Sequence, residues 1–333
     1  MEPFSCAIYG TDEIGIHLAE TVVINGAGPI GLMRVRLAAL QGARVICCDL
    51  SDERLAVAKK MAAEETVSVR NVASETTFTC CGVCDFCRRG ETGMCRSGRK
   101  SLGWSANGYW AEYILVNAQF SHKLAPHVNA KGAAVLEPFT CGVKAILQRV
   151  KVYPGDWAVV WGPGPIGLGV TQMARLAGAR VILVGTEHSR PRLEVAKKVG
   201  AYRTLVTGVD DIVAEVKAMT GGYGPQLCTV AAASQTSFKE AIACVRRQGN
   251  VLMLTGPFEK PLELRTFDVL ENEVAIVYAE GTNPASWGVA VDLLNAGLVD
   301  LDSLVSDVFP LDRWQEGVAK TGSHEGMKVL LQP

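Results

Sequence analysis

The stretch Gly162-Pro163-Gly164-Pro165-Ile166-Gly167-Leu168 decides the fold. It follows an apolar run at residues 158–160 and opens a stretch of helical pattern at residues 168–176. In that setting G-x-G-x-x-G is the turn of a dinucleotide-binding β-α-β unit. The first glycine permits the tight turn, and the second lets backbone approach a pyrophosphate on the helix N-terminus. The third lets helix pack on strand. Gly162, Gly164, Pro165, Ile166 and Gly167 are therefore the candidate cofactor turn. A tight turn with no ligand is the alternative.

Working outward, the same grammar recurs about 136 positions earlier. GAGPIGL at residues 26–32 echoes GPGPIGL at 162–168, and GARVI at 42–46 echoes GARVI at 178–182. RLAVAKK at 54–60 echoes RLEVAKK at 192–198, and EPFSC at 2–6 echoes EPFTC at 137–141. Each copy reads β-α-β-α, the start of a doubly wound parallel sheet. Two copies at so long a period make a partial duplication, not a solenoid. The second copy continues with strands expected at 226–231, 250–255 and 274–278, and helices at 211–219, 237–246 and 285–295. The first stops near Val67, where the sequence turns polar, so it is about half a domain. It lacks the strands that would cover both faces of its sheet, and we expect it to bind cofactor poorly by itself.

The residue closing the second strand of each copy bears on the choice of cofactor, because a carboxylate there accepts hydrogen bonds from the adenosine ribose. The first copy has Asp49, an NAD pattern. The second has Gly185, followed by Thr-Glu-His-Ser-Arg-Pro-Arg. Without a carboxylate at Gly185 a 2′-phosphate is not repelled, and Ser189, Arg190 or Arg192 can receive it. This leans towards NADP. In the alternative, Glu187 fills the acidic role and the arginines are solvated.

Between the copies the texture changes. Cys81-x2-Cys84-x2-Cys87-x7-Cys95 sets four thiols on a short, Gly-bearing loop. That spacing suits a closed tetrahedral S4 shell around Zn²⁺, which leaves no open position for substrate. Arg88, Arg89 and Arg96 would offset the excess thiolate charge. An iron–sulfur cluster uses the same donors, and unmetallated surface cysteines are the third reading. Glu137, in Leu-Glu-Pro-Phe, is a carboxylate in apolar company. It either partners a metal or sits as an acid at a helix N-terminus.

Composition closes off other classes. The 333 residues carry 33 Lys+Arg and 34 Asp+Glu, a net charge of −1, so no field draws the chain to nucleic acid or an acidic membrane. No targeting pattern opens the sequence, and no apolar run reaches the roughly 18–20 residues of a membrane span. We expect a cytoplasmic protein.

These pieces together resemble a known family. From about Phe78 to Pro333 the chain is similar to zinc-containing medium-chain dehydrogenases/reductases, in particular the polyol branch of sorbitol-, iditol- and threonine-dehydrogenase-like enzymes. The matching segments are CGVCDFCRRGETGMC, GYWAEY, LEP, GPGPIG and the closing FPLDRWQEGVAK…KVLLQP. The resemblance implies an α/β chain: a Rossmann-type doubly wound sheet plus a GroES-like β-rich catalytic domain with a structural zinc lobe. It implies hydride transfer between a secondary alcohol or polyol and NAD(P), and a homodimer or homotetramer. By resemblance Cys81, Cys84, Cys87 and Cys95 match the structural-zinc ligands, and Glu137 matches the carboxylate near the catalytic zinc.

The chain also departs from that family. The family's Cys-Gly-(Thr/Ser)-Asp and Gly-His-Glu segments, which carry catalytic-zinc ligands, are absent. Tyr9-Gly10-Thr11-Asp12 comes closest to the first. We therefore expect a partial Rossmann copy over residues 1–70 in place of the upstream half of the catalytic domain. An incomplete GroES-like remnant follows over 71–150, with its lobe at 80–96. The dinucleotide domain takes 151–285, and a last helix returns to the catalytic domain over 286–333. One structural zinc per chain is expected. The activity is weakened or lost if no catalytic zinc is held. The alternatives are a non-catalytic dinucleotide- and zinc-binding protein, and a zinc-independent quinone or carbonyl reductase.

Overall fold

The computed structural model describes residues 2–68, 72–74, 80–97, 101–103, 105, 107–111, 114, 116, 120–255 and 261–333. The chain divides into two compact units, one built from residues 1–79 and 100–130, the other from 80–99 and 131–332.

In the first unit, helix α1 (Glu2–Asp12) precedes strand β1 (Thr21–Asn25), α2 (Pro29–Leu40), β2 (Arg44–Asp49), α3 (Asp52–Lys60) and β3 (Glu65–Ser68). The strands form a parallel sheet in the order β1-β2-β3. Its core is Ile24, Val35, Ala38, Val45, Cys47 and Ala58, the apolar positions that the β and helical periodicities point inward. Strand β4 (Val72–Ser74) pairs antiparallel with β5 (Ser121–Lys123). Within residues 101–124, whose sequence has β character, β5 is the named strand among the described residues, and 108–111 are not in a strand. Residues 112, 113 and 115 of that stretch, and 69–71 and 75–79 of the polar junction, lie outside the described residues.

The second unit opens with the short helix α4 (Asp85–Arg88) inside the cysteine loop, then α5 (Ala130–Ala133) and α6 (Leu136–Lys144), which runs on as a π turn over Ala145–Arg149. There follow β6 (Trp157–Trp161), α7 (Pro165–Leu176), β7 (Arg180–Gly185), α8 (Arg190–Lys198), β8 (Arg203–Val206), α9 (Ile212–Met219), β9 (Leu227–Val230), α10 (Gln235–Cys244), β10 (Asn250–Met253), α11 (Thr266–Glu271), β11 (Ala275–Tyr278) and α12 (Pro284–Asn295). The strands form one parallel sheet, β11-β10-β9-β6-β7-β8. The order reverses direction between β6 and β9, and in such sheets the crevice outside the carboxyl ends of the strands at that point takes the ligand. Val159, Ile182, Cys228 and Val251, all fully buried, make the sheet's interior with Phe238 and Ala241 of α10. The tail forms β12 (Asp307–Pro310), α13 (Trp314–Gly322) and β13 (Val329–Gln332), with the two strands paired in parallel.

The duplication reaches further than the glycine turns. EPFSC and EPFTC both fall on helices, α1 and α6, and each packs on the helix that follows its own glycine turn. Among the described residues no helix is long and apolar enough to cross a membrane.

Candidate functional site

The Gly162–Gly167 turn lies at the carboxyl end of β6, beside β9. Gly162 has φ +108°, a conformation that side chains rarely adopt. A Cβ on Gly167 would sit 1.9 Å from the Gly162 carbonyl oxygen, so only glycine lets α7 start this close to the strand. A Cβ on Gly164 would meet nothing within 4 Å. The backbone there faces open space, at the N-terminus of a twelve-residue helix whose second position is the half-buried Ile166 and whose first is Pro165. Free N–H groups and the helix dipole favour an anion at such a place.

The first copy repeats this backbone. Gly26 has φ +101°, and a Cβ on Gly31 would lie 1.7 Å from the Gly26 oxygen. Its Asp49, however, is buried and turned inward. One carboxylate oxygen accepts the Ala27 N–H at 2.6 Å, and the other accepts the Ser51 N–H at 2.7 Å.

At the corresponding place in the second copy, a Cβ on Gly185 would meet the Ser189 hydroxyl at 2.7 Å, so the site has no room for a carboxylate. The Ser189 hydroxyl accepts the Thr186 N–H at 2.7 Å and donates to the Thr186 carbonyl at 2.8 Å, capping the turn before α8. Arg192 donates to the carbonyls of His324 and Gly326 at 2.6 and 2.8 Å. Of the three residues expected to receive a 2′-phosphate, only Arg190 is therefore directed to solvent. It pairs with Glu187 at 2.6 Å, and this bond holds the Glu187 carboxyl below its ordinary range.

The four cysteines are brought together. The sulfurs of Cys81, Cys84, Cys87 and Cys95 all lie within 4.8 Å of one another, and all four residues are half-buried. The Cys81 and Cys87 sulfurs are 3.9 Å apart. Four sulfurs at Zn–S distances of 2.3 Å would stand about 3.8 Å apart, so the cluster has the size of a zinc shell. Gly82 (φ +70°) and Gly90 (φ +81°) let the loop double back. The Cys84 N–H donates to the Cys81 sulfur at 3.4 Å, and the Cys81 N–H to the Cys95 sulfur at 3.4 Å. Backbone N–H groups of Val83 and Cys84 lower the Cys81 thiol to about 6, into the thiolate form that metals require. Arg89 and Arg96, expected to offset thiolate charge, pair with Asp85 and lie over the Phe86 ring.

Glu137 is half-buried in the first turn of α6, flanked by the buried Leu136 and Pro138. Burial raises its carboxyl above the ordinary range, opposed by the charge of Lys328 and by the Cys141 thiol, which donates to the Glu137 Oε1 at 3.6 Å. Sequence reasoning missed both neighbours. The i, i+4 spacing on one helix could have found Cys141, whereas Lys328 comes from a distant segment. Among the described residues the cysteine lobe is the one cluster of three or more metal-ligating side chains. Among the described residues the surroundings of Glu137 thus supply two donors and an opposing ammonium, short of the three ligands a catalytic zinc takes. A catalytic zinc does not fit them.

Two family profiles match the chain. One, described as zinc-binding dehydrogenase, covers residues 165–296. The other, the alcohol dehydrogenase GroES-like domain, covers 41–126, beginning inside the first copy. The D-arabitol-phosphate dehydrogenase of Enterococcus avium is 32% identical over 78% of this chain and 74% of that protein. Among solved structures, a short chain alcohol dehydrogenase of Escherichia coli CFT073 complexed with NADH is 25% identical with a TM-score of 0.68, covering 75% of this chain and 72% of that one. A zinc-binding dehydrogenase of Sinorhizobium meliloti 1021 bound to NADP is 25% identical with a TM-score of 0.71, covering 79% and 76%.

Proposed function

The chain belongs to the zinc-containing medium-chain dehydrogenase/reductase family, as a polyol-dehydrogenase-like member, and we propose that it binds one NAD(P) per chain at the Gly162–Gly167 turn and moves hydride between that cofactor and a small secondary alcohol or polyol. The observation that carries this is the open space over Gly164, at the switch point of a complete six-stranded sheet. When bound, the nicotinamide supplies the hydride acceptor. Gly164 lets the backbone approach the pyrophosphate, in a turn that Gly162 and Gly167 shape. Glu137, whose carboxyl pKa is held above its ordinary range by burial, takes the hydroxyl proton of the alcohol. The cysteine lobe closes around one structural zinc through Cys81, Cys84, Cys87 and Cys95.

NADP is favoured over NAD by the absence of a carboxylate at Gly185 and by the solvent-facing Arg190, which must leave Glu187 to meet a 2′-phosphate. Assays of the zinc-loaded chain with NAD+ and NADP+ against a polyol panel test the activity. Turnover of at least one polyol is expected, and silence across the panel would count against it.

A second reading has its own observation. The donor set around Glu137 is too small for a catalytic zinc, which favours a protein that binds dinucleotide and zinc without catalysis. Dinucleotide binding without turnover would select it, and a second tightly held zinc would exclude it.

A further inference from the structure

Lys144 is an ammonium in the protein interior, 6% exposed, on the same helix as Glu137 and Cys141. The spacing i, i+4, i+7 sets all three on one face of α6. A buried charge needs a counter-charge and hydrogen bonds. Lys144 Nζ donates to the Glu280 carbonyl at 3.0 Å and lies 3.6 Å from the Glu91 carboxylate. Glu91 belongs to the cysteine lobe, midway between Cys87 and Cys95. The lobe's backbone fixes it, its N–H donating to the Phe86 carbonyl and its own carbonyl accepting the Met94 N–H, both at 2.9 Å. The Asn283 amide extends the network. It donates to Glu91 at 3.4 Å and to Gln148 at 2.8 Å, while Asn283 itself caps α12.

On its other side α6 touches α7 backbone to backbone. A Cβ on Gly142 would stand 2.9 Å from the Val170 nitrogen, and one on Gly169 would stand 3.2 Å from the Phe139 Cα. Helix α7 begins with the Gly162–Gly167 turn. A continuous path of contacts therefore runs from the cysteine lobe through Glu91 and Lys144 to α6, and from α6 to the helix that the dinucleotide turn opens.

We propose that Lys144 is a positioning residue that couples the cysteine lobe to the dinucleotide site, with Glu91 as the lobe's side of the contact. The inference rests on the reading of the lobe as a zinc site and of the Gly162–Gly167 turn as the cofactor site. With the lobe closed, Glu91 is presented to Lys144, and α6 is held against α7. With the lobe open, Glu91 leaves, and the Lys144 ammonium loses its counter-charge.

Coupling between two sites is reciprocal: if zinc tightens dinucleotide binding, dinucleotide tightens zinc binding by the same factor. The test uses the full chain as wild type, E91Q, K144M and K144R. Zinc occupancy is read against a competing chelator with and without saturating NADPH, and in a parallel series NADH. NADPH and NADH affinities are read with the lobe zinc-loaded and zinc-free. Wild type is expected to show a coupling of about 5-fold or more, equal in both directions. K144R should keep most of it. E91Q and K144M should reduce it to no coupling, and E91Q, altered at a partly exposed side chain, should remain folded by thermal unfolding. Coupling that persists in E91Q, or a zinc-loaded wild type with no coupling, overturns the proposal while leaving the zinc reading intact. A wild type that takes up no zinc overturns the zinc reading, and the proposal with it.

Discussion

Asp49 accepts the Ala27 N–H at 2.6 Å, so the carboxylate that closes β2 is engaged by the first glycine turn instead of facing a ligand. In the second copy the corresponding Gly185 leaves the turn free and the Ser189 hydroxyl fills the space. The two copies share a backbone and differ in what their second strand ends with. That difference predicts a division of labour. Asp49→Ala leaves the buried Ala27 N–H without its acceptor and should destabilise the chain by about 1–3 kcal/mol. It should leave NADPH and NADH affinities unchanged. Thermal unfolding and calorimetric titration check both halves.

The lobe makes a second prediction. Serine at Cys81, Cys84, Cys87 or Cys95 should each remove the zinc, since a closed site with three thiolates loses both charge and geometry. Metal analysis of wild type should give about one zinc per chain, and each variant should fall close to zero. A Cys84→Ser variant that retains its zinc would oppose the four-thiolate assignment.

Glu137 carries a pH signature. Its folded carboxyl pKa lies above the ordinary value of 4.5, chiefly because of burial. Between 4.5 and the raised value the folded chain holds a proton that the unfolded chain has released, so stability falls as pH rises through that window. Glu137→Gln should flatten this slope and unfold at a higher temperature than wild type at neutral pH. If Glu137 accepts the alcohol proton, activity should rise with pH through the same window. The variant should then lose about 100-fold or more in kcat with little change in dinucleotide affinity.

Cofactor choice turns on Arg190. Arg190→Ala should weaken NADPH binding by about tenfold while leaving NADH nearly unaffected, the loss of one charge-assisted contact to a phosphate. Equal losses for both dinucleotides would assign Arg190 a role in the turn and not in 2′-phosphate recognition.

How much of this was legible in the sequence depended on range. The glycine turns, β6, β7, α7 and α8 follow from periodicity and glycine spacing, because the forces that shape them act within a few residues. The cysteine cluster was legible for the same reason. Strand β8 was not read: Arg203-Thr-Leu-Val is four residues long, and only Leu205 and Val206 are buried. Helix α1 was not read from the sequence, although EPFSC repeats the EPFTC that lies on α6. Ser189 is a candidate phosphate ligand by its place in the sequence, and the Thr186–Ser189 capping box that engages its hydroxyl shows only in the structure. Lys144 could not be found from sequence, since a buried lysine is intelligible only beside Glu91, which lies 53 positions away.

In the proposed function one turn holds one dinucleotide. Gly164→Val introduces a side chain where a Cβ meets nothing within 4 Å, so the fold should tolerate it, while the approach of a pyrophosphate is blocked. Gly28→Val makes the same change in the first copy, where a Cβ also meets nothing within 4 Å. The deciding measurement is calorimetric titration of wild type, Gly164→Val and Gly28→Val with NADPH and with NADH. One dinucleotide per wild-type chain, abolished by Gly164→Val and untouched by Gly28→Val, is the predicted result. Unchanged binding in Gly164→Val, or two dinucleotides per wild-type chain, would contradict it.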